Sequence, residues 1–290
     1  MDIVSQLIIN GLLLGGAYAI ISIGLTLIFG VVRVVNFAHG ELLMIAMYST
    51  YLFARNFEFH PYVSIIPVAL ILFFIGVLIQ KGIIQPLLRA DGHIQIFATV
   101  GISTALMNLA LVVFGADTLS TSVQVGSGTW LVGNLAVRSG PFYTFIVAVI
   151  IVLLMHLFLS RTYIGRAFRA VAQNRDAASL MGINVANIYV LAFGLGSAFV
   201  GVAGAMITPQ YPVFPTIGTY FVLTTFVIVV LGGMGNLVGA FFGALIIGLV
   251  DSFAGYYIAP DLKEVVYFFI FILILVFRPT GLFGLGRGSE

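Results

Sequence analysis

Residues 3–32, IVSQLIINGLLLGGAYAIISIGLTLIFGVV, run from end to end without one charged side chain. A bilayer core about 30 Å thick needs roughly 20 apolar residues of helix. This stretch is long enough to cross it, so it reads as a membrane span.

The rest of the chain agrees. Of 290 residues, 61% are hydrophobic and only 8% are charged. Soluble domains carry about 25% charged residues. A soluble core of this size has no means of hiding so much apolar surface, because its outer layer must stay polar; lipid removes that requirement. The mean hydropathy of +1.18 points the same way, as do 33 glycines, since glycine is commoner in membrane helices than in soluble ones. With no cysteine, disulfides and thiolate metal sites are excluded. The net charge of +2 says little. Asp2 stands where a signal peptide would carry bases, and no small-residue cleavage pattern follows. The first span therefore reads as permanent.

Further spans fit 42–54, 62–80, 94–114, 141–159, 189–208, 219–234, 237–254 and 265–277. The expectation is an all-α membrane bundle of eight or nine spans, a single transmembrane domain over 1–290. The count turns on the glycine-rich break at 232–236. Lys and Arg concentrate in cytoplasmic loops. Arg161, Arg166, Arg169 and Arg175 put one loop inside, Lys81 and Arg89 another, and Arg278 and Arg287 the C-terminus. The base-poor segments 115–140 and 209–219 fit the outer side, whereas Arg33 and Arg55 do not discriminate. Four crossings then separate the Arg-rich loop from the C-terminus, which favours nine spans and an external N-terminus. Residues 24–40 and 231–248 both pass through an interruption into an apolar run, a weak internal echo.

Residues 161–183, RTYIGRAFRAVAQNRDAASLMGI, are too charged to cross a membrane. Arg166, Arg169, Gln173 and Asp176 fall at spacings of three and four, which predicts one shared helical face. Asn174 suits the cap of a second short helix, with Asp176 in its first turn. Gly182 suits the position just past that helix. The reading is a helix–break–helix in which Ala170, Ala172, Ala177 and Ala178 allow close seating in a groove. The alternative is a solvated basic loop obeying the positive-inside rule.

At this point the chain becomes recognisable. The stretch GRAFRAVAQNRDAASLMGIN resembles the cytoplasmic loop of bacterial branched-chain amino acid ABC transporter permeases of the LivH type. VNFAHGELLMIAMY at 35–48 resembles that family's N-terminal signature. VLGGMGNLVGAFFGALIIGLVDSF at 230–253, followed by RPTGLFG at 278–284, resembles its C-terminal one. The resemblance covers most of the chain, in order. It implies that the loop, about 160–188, docks onto cytoplasmic ATP-hydrolysing subunits through Gly165, Arg166, Arg169, Ala170, Gln173, Asn174, Asp176, Ala177, Leu180 and Gly182. It also implies a periplasmic solute-binding protein, a second permease, usually a different LivM-type chain, and residence in the bacterial inner membrane.

Two further constellations are candidates for the translocation path or its gate. Asn36, His39, Gly40 and Glu41 combine ionisable groups with the entry to a span, where such groups usually face a cavity or a partner. The alternative is a cytoplasmic turn, with Asn36 as cap and Glu41 near the helix start. Gly232, Gly233, Gly235 and Asn236 read as a broken helix lining a path, or as close packing or a tight turn. They lack the Lys-Ser/Thr of a nucleotide loop. No ATPase is visible in the chain, and no cluster has metal-ligand spacing. No catalytic residue, cofactor, metal or nucleic acid is expected. The sequence as a whole reads as a permease for a small-molecule substrate: leucine, isoleucine, valine, other small amino acids, or amides. The competing classes are a self-contained secondary transporter or channel, for example for urea, and a non-transporting scaffold.

Overall fold

The computed structural model describes residues 3–57, 60–121, 128–133, 135–260, 262–278 and 280–284. Asp2 and Arg287, used above for the N-terminus and for sidedness, lie outside the described residues. The elements in chain order are α1 (Ile3–Val32), α2 (His39–Phe57), α3 (Ile65–Leu87) and α4 (Gly92–Phe114). A two-stranded hairpin follows, β1 (Thr129–Val132) and β2 (Leu135–Arg138). Then come α5 (Ser139–Arg161), α6 (Tyr163–Gln173), α7 (Arg175–Leu180), α8 (Val185–Ile207), α9 (Ile217–Gly232), α10 (Leu237–Tyr257) and α11 (Lys263–Phe277). Within α3 the residues Gln80–Ile84 form a π-helical turn.

The charge-free 3–32 stretch is the central post. α10, α8, α5 and α9 pack around α1, and α3 packs on α8. Small residues let the backbones close in. At Gly15 a Cβ would stand 2.8 Å from the Leu245 Cα of α10. The outer helices reverse the soluble pattern. Phe74, Phe97 and Val112 are 61%, 75% and 82% exposed. In water that apolar surface would aggregate; in a bilayer it faces lipid.

Among the described residues six helices are long and apolar enough to cross a membrane: α1, α3, α4, α5, α8 and α10. The expected spans at 42–54, 219–234 and 265–277 correspond to α2, α9 and α11, which fall outside that set. α2 carries Glu41 and Arg55, α9 has 16 residues and α11 has 15. The break at 232–236 separates two helices, because α9 ends at Gly232 and α10 begins at Leu237.

The β-hairpin lies in the segment read only as a base-poor loop. Its register pairs Thr129 with Arg138 and Val132 with Leu135. Gln6 of α1 holds it: Nε2 donates to the Ala136 carbonyl at 2.8 Å, and Oε1 accepts from the Ala136 N–H at 2.9 Å. Trp130 meets Phe142 and Tyr143 edge-on, the kind of amphipathic ring cluster that settles at a membrane–water interface. The hairpin marks one end of the bundle, and α6 marks the other.

Candidate functional site

Thr162 starts α6. Its Oγ1 accepts from the Gly165 N–H at 2.9 Å, satisfying one orphan donor of the first turn. Gly165 lies so close to α5 that a Cβ there would meet the Leu159 Cα at 2.6 Å. Ala167, Phe168 and Val171 turn into the core, while Arg166, Arg169 and Gln173 turn outward and are exposed. Asn174, at φ −150° and ψ 106°, stops the helix and caps the next. Its Oδ1 accepts from the N–H groups of Asp176 and Ala177, both at 3.0 Å. This break corrects the expectation of one face for four residues. Asp176 belongs to α7, and the face on α6 ends at Gln173. Gly182 follows at φ 82°.

The alanines divide. Ala178 is buried in the chain's own core, Ala170 and Ala172 are half-buried, and Ala177 is exposed. The tip of the hairpin instead presents Leu180, 89% exposed, and Met181, 83% exposed. The Arg175–Asp176 contact at 3.8 Å joins two exposed side chains, a pair of little energetic consequence.

Behind α6 a crevice is lined by Thr26 and Gly30 of α1, Phe168, Arg169 and Ala172 of α6, and Gly235. Gly30 and Gly235 touch backbone to backbone: the Gly235 Cα is 2.9 Å from where a Gly30 Cβ would stand. Gly233 and Gly235 have φ values of 94° and 87°, so this is a turn only glycine adopts without strain. Asn236 caps α10 through the Gly239 N–H at 3.0 Å, and its Nδ2 donates to the Phe283 carbonyl at 2.7 Å. The Leu282 N–H donates to the Leu231 carbonyl at 2.8 Å. Residues 231–236, the 280–284 tail, the end of α1 and α6 therefore share one end of the bundle.

α2 does not begin at that end. His39 Nε2 lies 3.0 Å from the Ile21 carbonyl oxygen, which fixes the proton on Nε2. Ile21 precedes the end of α1 at Val32 by about 11 residues, or roughly 16 Å of helix. The chain leaves α1, climbs back through 34–38 and starts α2 inside the bundle. Thr99 of α4 donates to the Val35 carbonyl at 3.1 Å, and the Phe37 ring sits 5.0 Å from that of Phe226 on α9. Asn36 Oδ1 accepts from the Ala38 N–H at 3.1 Å, the capping geometry of the bland alternative. The setting is not a surface turn: Asn36 and His39 are wholly buried and Glu41 is 2% exposed. Asn36 Nδ2, His39 Nδ1 and Glu41 Oε2 have no partner among the described residues. The backbone of Gly40 lies directly against that of Gly218, the second residue of α9. Two helix N-termini, each equivalent to about half a positive charge, thus meet at the Gly40–Gly218 contact, and Glu41 stands in the first turn of one of them.

A third cluster was not legible in the motifs. Asp251 of α10 is 5% exposed. Tyr18 of α1 donates to its Oδ2 at 3.0 Å, and Lys263 at the start of α11 pairs with its Oδ1 at 3.1 Å. The Lys263 ammonium also lies 5.8 Å from the Tyr220 ring centroid. No pattern of helical spacing signals this pair, because its members stand on different helices. Among the described residues no three His, Asp or Glu side chains come together as a metal site.

An assembly of end-anchored small hairpin, broken helices and lipid-facing apolar spans has close relatives. The family described as "Branched-chain amino acid transport system / permease component" matches residues 7–275. The chain belongs to that family. This permease is 32% identical to the high-affinity branched-chain amino acid transport system permease protein BraD of Pseudomonas aeruginosa, over 96% of this chain and 95% of that protein. It is 30% identical to the corresponding LivH protein of Escherichia coli, over 96% and 95%. The ribose import permease protein RbsC of Haemophilus influenzae is 29% identical over 66% of this chain and 60% of its own. No solved structure matches. The permease is a membrane transport component, and the match spans the groups of residues described above apart from the 280–284 tail.

Proposed function

We propose that this chain is one membrane-spanning half of an ATP-driven importer for branched-chain amino acids, or related small amino acids and amides, in the bacterial inner membrane. The observation that carries the reading is the α6–α7 hairpin. Its inner face is wedged against α1 and the α9–α10 turn, while Arg166, Arg169, Gln173, Ala177, Leu180 and Met181 stand exposed. A hairpin with a fixed back and a bare, mixed polar and apolar front suits a lever that a cytoplasmic ATPase subunit moves. A second permease would complete the pore, and a periplasmic binding protein would deliver substrate at the opposite end, where the β1–β2 hairpin lies.

The five helices before the α6–α7 hairpin and the four after it would give nine crossings and an external N-terminus, with α2 and α9 as the broken members. Discontinuous helices whose N-termini meet inside a bundle favour a transport path there, so residues 36–41 and the Gly40–Gly218 contact serve as its gate. The glycine turn at 232–236 serves as the hinge between gate helix and lever. A self-contained ion-coupled carrier is the weaker reading, because Asp251 is already matched by Lys263, which leaves Glu41 alone among the buried acids of the described residues.

The test is the double variant Arg169→Glu with Ala177→Trp, which reverses one charge and blocks the seat while leaving every span untouched. Truncating a buried charged pair costs roughly 2–5 kcal/mol, or tens to thousands of fold in docking. The variant inserts in the membrane yet loses both ATPase co-purification and uptake. Normal transport by it would return the self-contained carrier to the lead.

A further inference from the structure

Arg33 is the one non-glycine with positive φ among the described residues, at 60°. It follows the last turn of α1, and its N–H donates to the Phe29 carbonyl at 3.0 Å. This is the left-handed position just past a helix end, where glycine sits without cost and a side chain with a Cβ is strained. A chain with 33 glycines places an arginine there. The side chain therefore has a task that outweighs the strain.

The guanidinium shows what it is. Arg33 Nη2 donates to the Ala172 carbonyl at 2.6 Å. Ala172 lies in the last turn of α6, whose carbonyls have no partner further along the helix. A fixed cation at a helix C-terminus is favoured by charge as well as by hydrogen bonding. On its other side Arg33 is joined covalently to residues 34–38, the climbing segment pinned by Thr99 and Phe226, which ends at His39 and Gly40. One residue thus holds the lever by its side chain and the gate helix by its backbone.

We infer that Arg33 is the positioning residue that transmits movement of α6 to the buried start of α2. The inference rests on the proposed docking of an ATPase on α6. Displacing the end of α6 pulls the guanidinium, turns the backbone at Arg33 and shifts the Gly40–Gly218 contact. Without the side chain, α6 still docks and the ATPase still turns over, but the gate no longer follows.

The experiment uses the whole transporter, purified with its ATPase and reconstituted in proteoliposomes with its binding protein and radiolabelled leucine inside reach of that protein. Arg33→Gly and Arg33→Asn keep a left-handed backbone available and remove the guanidinium, so folding is spared. The expected result is ATPase co-purification intact, ATP hydrolysis within about twofold of the parent, and leucine carried per ATP reduced about tenfold or more; this is about 1.4 kcal/mol of coupling. Arg33→Lys, which keeps a cationic donor, regains most of the yield. A normal yield per ATP in Arg33→Gly and Arg33→Asn overturns the inference. So does a parallel fall of hydrolysis and uptake, which marks a merely structural role. Failure of the docking reading is a separate result, seen as retained ATPase in the Arg169→Glu, Ala177→Trp variant.

Discussion

The carbonyl of Gly218 rests on the backbone of Gly40, joining the first turns of α9 and α2. A Cβ on Gly218 would stand 2.5 Å from the Gly40 carbonyl carbon and 2.9 Å from the Glu41 nitrogen. These are backbone atoms with nowhere to go.

Adding a methyl at either glycine forces the two helix starts apart. Overpacking of this kind costs typically 1–3 kcal/mol. Gly40→Ala and Gly218→Ala each lower the thermal midpoint of the detergent-purified permease and reduce uptake. Gly101→Ala, where a Cβ meets nothing within 4 Å, serves as the control and leaves both unchanged. Equal stability in all three variants would remove the close contact from the account.

Glu41 stands in the first turn of α2, and its Oε2 has no partner among the described residues. A negative charge at a helix N-terminus is worth about 0.3–1 kcal/mol, up to ~2 when partly buried. In this buried first turn, Glu41→Gln removes about 1–2 kcal/mol of order at the gate. The expected outcome is a fall in uptake of about 5- to 30-fold, with membrane insertion and ATPase co-purification preserved. Unchanged uptake would leave Glu41 as an ordinary first-turn residue.

What the sequence discloses follows from which interactions are local. The charge-free 3–32 run is one helix, and the cap at Asn174 and the left-handed Gly182 stand where their residue types put them, because capping is decided within a few residues. The same logic was available for two features passed over: Thr162 as the cap of α6, and Gly133–Asn134 between two short β-rich runs, a hairpin signal. Asn134 itself lies outside the described residues. The deep start of α2 is different. Residues 34–38, with Asn36 among them, read equally well as a cytoplasmic turn; only contacts with Ile21, Thr99 and Phe226 reveal that the chain has doubled back. Long-range pairs such as Tyr18 with Asp251, or Arg33 with Ala172, leave no periodic trace at all.

The Asp251–Lys263 pair offers the sharpest energetic test, because its two members are unequally buried. The Asp251 side chain is 7% exposed and that of Lys263 is 22% exposed. Breaking a buried pair costs roughly 3–5 kcal/mol when one charge is left stranded, much of it the desolvation of the survivor. Lys263→Met strands the deeper charge, although Tyr18 still donates to it at 3.0 Å; a loss of about 2–4 kcal/mol is expected. Asp251→Asn strands an ammonium that reaches solvent and retains the Tyr220 ring, so its loss is smaller, about 1–2 kcal/mol. The double variant removes both charges and recovers most of what Lys263→Met loses, which gives a coupling energy between the sites of about 2–5 kcal/mol. The measurement is a double-mutant cycle on the unfolding of the purified permease in detergent. Additive effects, or a costlier Asp251→Asn, would mean that the pair is not the tie between α10 and α11 that its 3.1 Å contact describes.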